Sequence, residues 1–213
     1  MGDTFGKAAA LITKAESTTT VRESEANIEM AHTLMAKHAI DQAMLGVGGS
    51  SSDRGPIGET SFVLPTRAYH KAFLGLLVTV SEANHCWVWI YRSGSLSVRH
   101  SGLSKACLVG FEANRRSTKL LFDAVCVLVA RKLQAREVIE LATAEPALAR
   151  PASRARLVAD GMAARLETAT EAVHKEAAAI HGSEAVALAL SDVEVALQNW
   201  LDQMYPSNDA GGS

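Results

Sequence analysis

The stretch CLVGFEANRRSTKLLFDAVCVLVARKL, residues 107–133, decides how the chain is read. Its opening is apolar and ends at Gly110-Phe111, where glycine permits a tight exit from a strand. Residues 120–130, LLFDAVCVLVA, are apolar on almost every side, the mark of a buried helix. A strand that runs without a linker into a buried helix points to a mixed fold.

Upstream, the period is that of strands. From His85, residues Cys86, Val88 and Ile90 alternate with Trp87, Trp89 and Tyr91. Both faces are apolar, which reads as a central strand covered on both sides. Ser93-Gly94 is a two-residue hairpin signal. Leu96–His100 then returns as a second strand, and Ala106–Phe111 is the third strand of an antiparallel meander. Thr60–Leu64 is a further short strand, and Ala72, Phe73, Leu76, Leu77 and Val80 form a helical stripe.

Both ends are helical. Phe5, Ala8, Ile12 and Ala15 share one face, and the Ser/Thr run 17–20 breaks the pattern. Thr20 and Glu23 have the spacing of a capping box. A second helix follows with Val21, Ile28, Ala31, Met35 and His38 on one stripe. A hairpin this short cannot bury both stripes alone and must dock on something. After Pro146 and Pro151, Ser153 is a candidate cap for a long helix carrying Val158, Met162, Leu166, Ala169, Val173 and Ile180. Gly182 ends it. Val186–Leu190 reads as one more short strand, and Ser191 with Glu194 as a second capping box. The last helix then buries Val193, Leu197, Trp200 and Met204.

The expected fold class is therefore α+β: an N-terminal helical hairpin plus a small antiparallel β-meander packed by long helices. The expected units are residues 1–45, the hairpin; 46–58, a flexible Gly/Ser-rich loop; 59–206, the α+β domain; and 207–213, a tail.

Composition narrows the function classes. At 213 residues and 48% hydrophobic, the chain is too apolar for disorder and long enough for a real core. A net charge of −2 gives no global basic field to recruit nucleic acid or anionic membrane. No apolar run reaches the roughly 18 residues of a membrane span. Three cysteines without a C-x-x-C pair suggest a reducing, cytoplasmic setting rather than a disulfide framework.

Strong catalytic signatures are absent: there is no H-E-x-x-H helix and no G-x-S-x-G elbow. His70, His85, Cys86, His100 and Cys107 are zinc-type ligands, but in no recognised spacing, so no metal and no cofactor is expected. Asp123 is the one charge in the apolar helix. It reads as an acid on a narrow wet edge paired with Lys119, one turn earlier. Two constellations point to binding. Trp87, Trp89 and Tyr91 share one strand face; they form core, receive a partner helix, or stack the bases of a single strand beside Arg92, Arg99 and Lys105. At the strand-to-helix turn, Glu112 suits the helix dipole, and Arg115 and Arg116 project from the first turn to grip a phosphate or an acidic partner.

The segment LITKAESTTTVRESEANIEMAHTLMAKHAID, residues 11–41, resembles the N-terminal hairpin domain of a family of uncharacterised proteins common in actinobacteria and their phages. Residues 107–133, and then 159–177 and 185–206, resemble the domain that usually follows it. The chain departs at Asn114, where relatives often carry an acid. The family brings an architecture and no activity. The resemblance implies an accessory protein of phage or mobile-element type. The expectation is a non-enzymatic protein that binds a host or phage macromolecule, a protein first. The alternatives are a nucleic-acid module using Trp87, Trp89, Tyr91, Arg115 and Arg116, self-association into a homo-oligomer, and a cryptic enzyme with an inward-facing pocket at Asp123 or Glu112. No catalytic residue is assigned.

Overall fold

Helix α1, Thr4–Ser17, buries Ala8, Ile12 and Ala15, the stripe that its spacing implies. Helix α2, Val21–Val47, returns antiparallel and buries Ile28, Ala31 and Met35. The computed structural model describes residues 4–47, 54–64, 69–90, 104–135, 139, 145–148 and 150–206. At the start of α2 the Glu23 carboxylate accepts chiefly from the Thr18 hydroxyl at 2.7 Å, two residues before the expected cap, and this bond holds the carboxyl below its usual range.

The hairpin docks on the rest of the chain. Its buried residues join one apolar cluster with Phe62, Leu76, Leu108, Leu121, Val125 and Met162. Polar groups fix the dock. Arg131 reaches the C-terminal end of α1 and donates to the Ala15 carbonyl at 3.2 Å, to the Thr18 carbonyl at 3.4 Å and to Glu16. The Ala15 and Glu16 carbonyls are in the last turn of α1 and Thr18 lies just past it, so the cation, with the Ser24 hydroxyl on Ala15, serves acceptors at the negative end of the dipole. Glu25, buried on α2, pairs with Lys132 and, at 2.7 Å, with Arg165.

The sheet differs from a sequential meander. Strand β1, Ile57–Leu64, and strand β2, Trp87–Ile90, both pair antiparallel with β3, Ser104–Phe111, in the order β1-β3-β2. The central strand is β3, whose Ala106, Cys107, Leu108 and Val109 are all buried. The tryptophan strand, expected at the centre, instead pairs with β3 on one side of the described sheet, and its rings are only partly covered. Continuous small apolar residues fill a doubly covered position better than large rings do. The expected strand 96–100 lies outside the described residues.

Helix α3, His70–Ala83, connects β1 to β2. It ends in a turn where Cys86 N–H bonds the Ser81 carbonyl at 2.9 Å and His85 takes φ 50°, the left-handed position that glycine usually fills. His85 thus terminates a helix, and the strand begins at Trp87. Helix α4, Glu112–Leu133, follows β3 directly, as its sequence implies. Asp123 is exposed on α4 and pairs with Lys119 at 2.7 Å. After a short 3-10 turn at Pro146–Leu148 come α5, Pro151–His181, and α6, Ser183–Met204. Proline at the first position of α5 displaces the expected cap at Ser153. Gly182, at φ 87°, separates α5 from α6.

Val186–Leu190 and Ser191 are therefore helical, not a strand and a cap. The pattern AVALAL alternates, but Val186, Ala189, Val193 and Leu197 are buried at helical spacing and win. Leu201 is buried in the last turns, whereas Met204 is exposed. At the far end of α5, Ile180 is exposed too.

The Gly/Ser segment is helical at Gly46-Val47 and a strand from Ile57, and between them Arg54 is buried. Its guanidinium lies 5.0 Å from the Phe111 ring centroid and donates to the Ala43 carbonyl. A Cβ at Gly46 would lie 1.2 Å from Arg54 Nη2, so this glycine opens the path of the side chain. Residues 48–53 lie outside the described part.

Candidate functional site

The sheet has two unlike faces, fixed by strand alternation. On the first, Phe62, Leu64, Ala106, Leu108 and Val88 pack into the main core. Gly58 and Gly110 are opposite each other there. A Cβ on Gly110 would come within 2.5 Å of Cys86 Sγ, and one on Gly58 within 3.1 Å of Arg115. Arg115 occupies this gap. It donates to the Gly110 carbonyl at 3.0 Å, the Glu59 carbonyl at 3.2 Å and Thr60 Oγ1 at 2.8 Å. The guanidinium fork thus latches the first turn of α4 to β1. Arg116 is exposed beside Phe5, 5.1 Å from the ring centroid. Glu112 is exposed and packs on Gly55, and its N–H bonds the Pro56 carbonyl. The turn therefore does not bring Glu112, Arg115 and Arg116 to one surface. Asp123 and Glu112 are both exposed.

The second face carries Glu59, Ser61 and Val63 from β1, Cys107, Val109 and Phe111 from β3, and Trp87 and Trp89 from β2. Helix α6 covers part of it: Trp87, Ile57 and Phe111 pack against Val193 and Leu197. Beyond Trp87 the cover ends. Trp89 is 52% exposed, and its ring stacks on Tyr205 at 6.2 Å between centroids and 16° between planes. Tyr91 lies outside the described residues, as do Arg92 and Arg99. The tryptophan face is thus core at one end and surface at the other.

Between this face, the end of α3 and the end of α6 lies a groove of about 510 Å³. Trp87, Trp89, Val78, Leu201 and Tyr205 make its apolar walls, and Glu82 and Asp202 are its charged groups. The volume is that of ordinary ligand and peptide side-chain pockets. One wall is held by a polar chain: Tyr205 donates to Glu59 Oε2 at 3.0 Å, and Cys107 Sγ donates to the same oxygen at 3.2 Å. Burial, then the hydrogen bond to Glu59, pushes the Cys107 thiol up to about 12. Burial also pushes Cys86 and Cys126 up to about 12. All three thiols are neutral near pH 7 and are poor nucleophiles.

The other histidine and cysteine candidates do not converge. His85 stacks on His174 at 6.0 Å, away from Cys107, and His100 lies outside the described residues. Among the described residues no group of three or more His, Cys, Asp or Glu is placed to hold a metal ion. Burial, then the neighbouring His174, pushes the His85 imidazole down to about 4.

Tyr205, Glu59, Glu82 and Asp202 were not among the residues that the sequence picked out. Tyr205 gave a faint signal, a large ring at the end of the last helix in a chain only 5% aromatic.

The family described as "Protein of unknown function (DUF2786)" matches residues 5–42, which are α1 and most of α2. No curated protein and no solved structure matches the chain. Among the described residues no helix is long and apolar enough to cross a membrane. The chain's N-terminal hairpin is thus similar to a domain of unknown function.

Proposed function

We propose that this chain is a non-enzymatic binding protein whose partner, a protein, docks a segment in the groove between Trp89, Tyr205 and the ends of α3 and α6. The observation that carries this reading is Trp89, a large ring left half-exposed at the mouth of a concave apolar groove. Tryptophan and tyrosine are the residues around which interface energy concentrates. The hairpin's own stripes are already buried against the chain, so the groove replaces the hairpin as the docking surface. The described charged residues lining it are acidic, which disfavours a nucleic-acid strand on the same rings. The proposal keeps the reading of an accessory protein of phage or mobile-element type, with the remaining elements as a companion domain to a hairpin that matches, over residues 5–42, a domain of unknown function. Three free cysteines support a reducing cytoplasmic setting.

The test is selection from a random peptide library on the full chain, with counter-selection on a folded Trp89→Ala variant. Enrichment of peptides that bind the wild type and not the variant supports the reading. Failure to enrich any such peptide overturns it.

A further inference from the structure

We infer that the groove is built for a cationic protein segment, one presenting a lysine or arginine beside an apolar side chain; this rests on the groove being the docking site. The argument is electrostatic. Glu82 is in the last turn of α3, and Asp202 is in the last turn of α6. Helix C-termini carry the negative end of the macrodipole, so an acid there is disfavoured and a base is preferred. Neither helix has a basic residue in its last turn. Two helix ends of negative sign and two carboxylates therefore converge on one groove whose described lining residues include no cation.

Neither acid is neutralised within the described chain. Asp202 accepts a hydrogen bond from Gln198 at 2.8 Å, which brings no charge, and Glu82 forms no ion pair among the described residues. By contrast Glu25 has Lys132 and Arg165, and Asp123 has Lys119. The same groove is lined by the stacked rings of Trp89 and Tyr205, and aromatic rings attract a guanidinium or ammonium group. Acids placed against the local dipole lower the stability of the free chain, a pattern expected where a binding site trades stability for function.

The experiment uses the peptides selected on the full chain and a Glu82→Gln/Asp202→Asn double variant. Lysine or arginine should be enriched in the selected sequences. Their binding should weaken about tenfold on the double substitution, and should fall as salt rises. The double variant should be at least as stable to heat as the wild type, because it loses two unfavourable charges. Peptides that depend on Trp89 but show no basic enrichment, or bind the double variant equally, overturn the cationic assignment and leave the docking site intact. A drop in the melting temperature of the double variant overturns the dipole argument. No Trp89-dependent peptide at all, a single-stranded oligonucleotide that competes for the groove, or self-association through it overturns both.

Discussion

The Trp89 ring lies 6.2 Å from the Tyr205 ring and 16° from parallel to it. This contact joins β2 to the residue just past the end of α6, and so ties the groove's two walls together. The tyrosine hydroxyl adds a bond to Glu59 on β1. Tyr205→Phe keeps the stack and loses the bond to Glu59, and should lower stability by about 1 kcal/mol or less. Tyr205→Ala loses both, and should increase hydrogen exchange in the last turn of α6 while leaving α1 unchanged. Exchange mapped by mass spectrometry on the two variants checks this.

Arg115 acts as a fork across the gap between Gly58 and Gly110. Lysine carries the charge but cannot reproduce three directed donations. Arg115→Lys should therefore destabilise the chain by about 1–2 kcal/mol, read as a lower midpoint in urea. Arg116→Lys, on an exposed side chain, should change the midpoint little.

Gly110 and Cys86 compete for one space. Gly110→Ala brings a methyl group within 2.5 Å of Cys86 Sγ and should cost about 1–3 kcal/mol. Removing the sulfur in Cys86→Ala should recover part of that loss. A double-mutant cycle checks it: the two changes should be less than additive, with a coupling of about 1 kcal/mol.

His32 is fully buried on α2, with Nε2 at 3.0 Å from the Leu166 carbonyl and 2.8 Å from Thr170 Oγ1. Burial pushes its imidazole from 6.5 down to about 4, with the Leu166 bond opposing. The unfolded chain then binds the proton more readily than the folded one. Stability from this residue is complete above pH 6.5 and is lost as pH falls from there towards 4. The loss amounts to roughly 3 kcal/mol at its limit. His85 titrates in the same window, so the clean measurement is a difference. Unfolding free energy followed from pH 7 to pH 4 should fall less steeply in His32→Gln than in the wild type.

Arg131 belongs to α4 in sequence but serves the end of α1. Arg131→Met keeps much of the side chain's bulk and removes its donors to Ala15, Glu16 and Thr18. The expected cost is about 1–2 kcal/mol. Exchange should quicken in the last turn of α1 and stay the same in β3.

The helical hairpin, the passage from β3 into α4 and the long C-terminal helices are legible in the sequence because each has a strong period and a clear stop at Ser17, Gly110, Gly182 or Pro206. Sheet order is not local information. The tryptophan run reads as the central strand and Ala106–Phe111 as the third of a meander, and only packing decides that β3 takes the middle. The segment Val186–Leu190 misleads because alanine alternating with larger residues mimics a strand inside a helix. At the site, Trp87 and Trp89 stand out by their spacing, but the division between them depends on where α6 ends. Arg115 reads as a binding residue and is consumed by the backbone that two distant glycines expose. Glu82 and Asp202 are acids in helical last turns, a signal that opposes the dipole rule and is visible once helix ends are known.

The most direct test is the dissociation constant of a library-selected peptide, titrated against the wild type and against Trp89→Ala, with circular dichroism showing both to be folded. A half-exposed tryptophan lining a docking groove should contribute about 2 kcal/mol, so the constant should rise roughly thirtyfold in the variant. Equal affinity for the two proteins would contradict the groove as the binding surface.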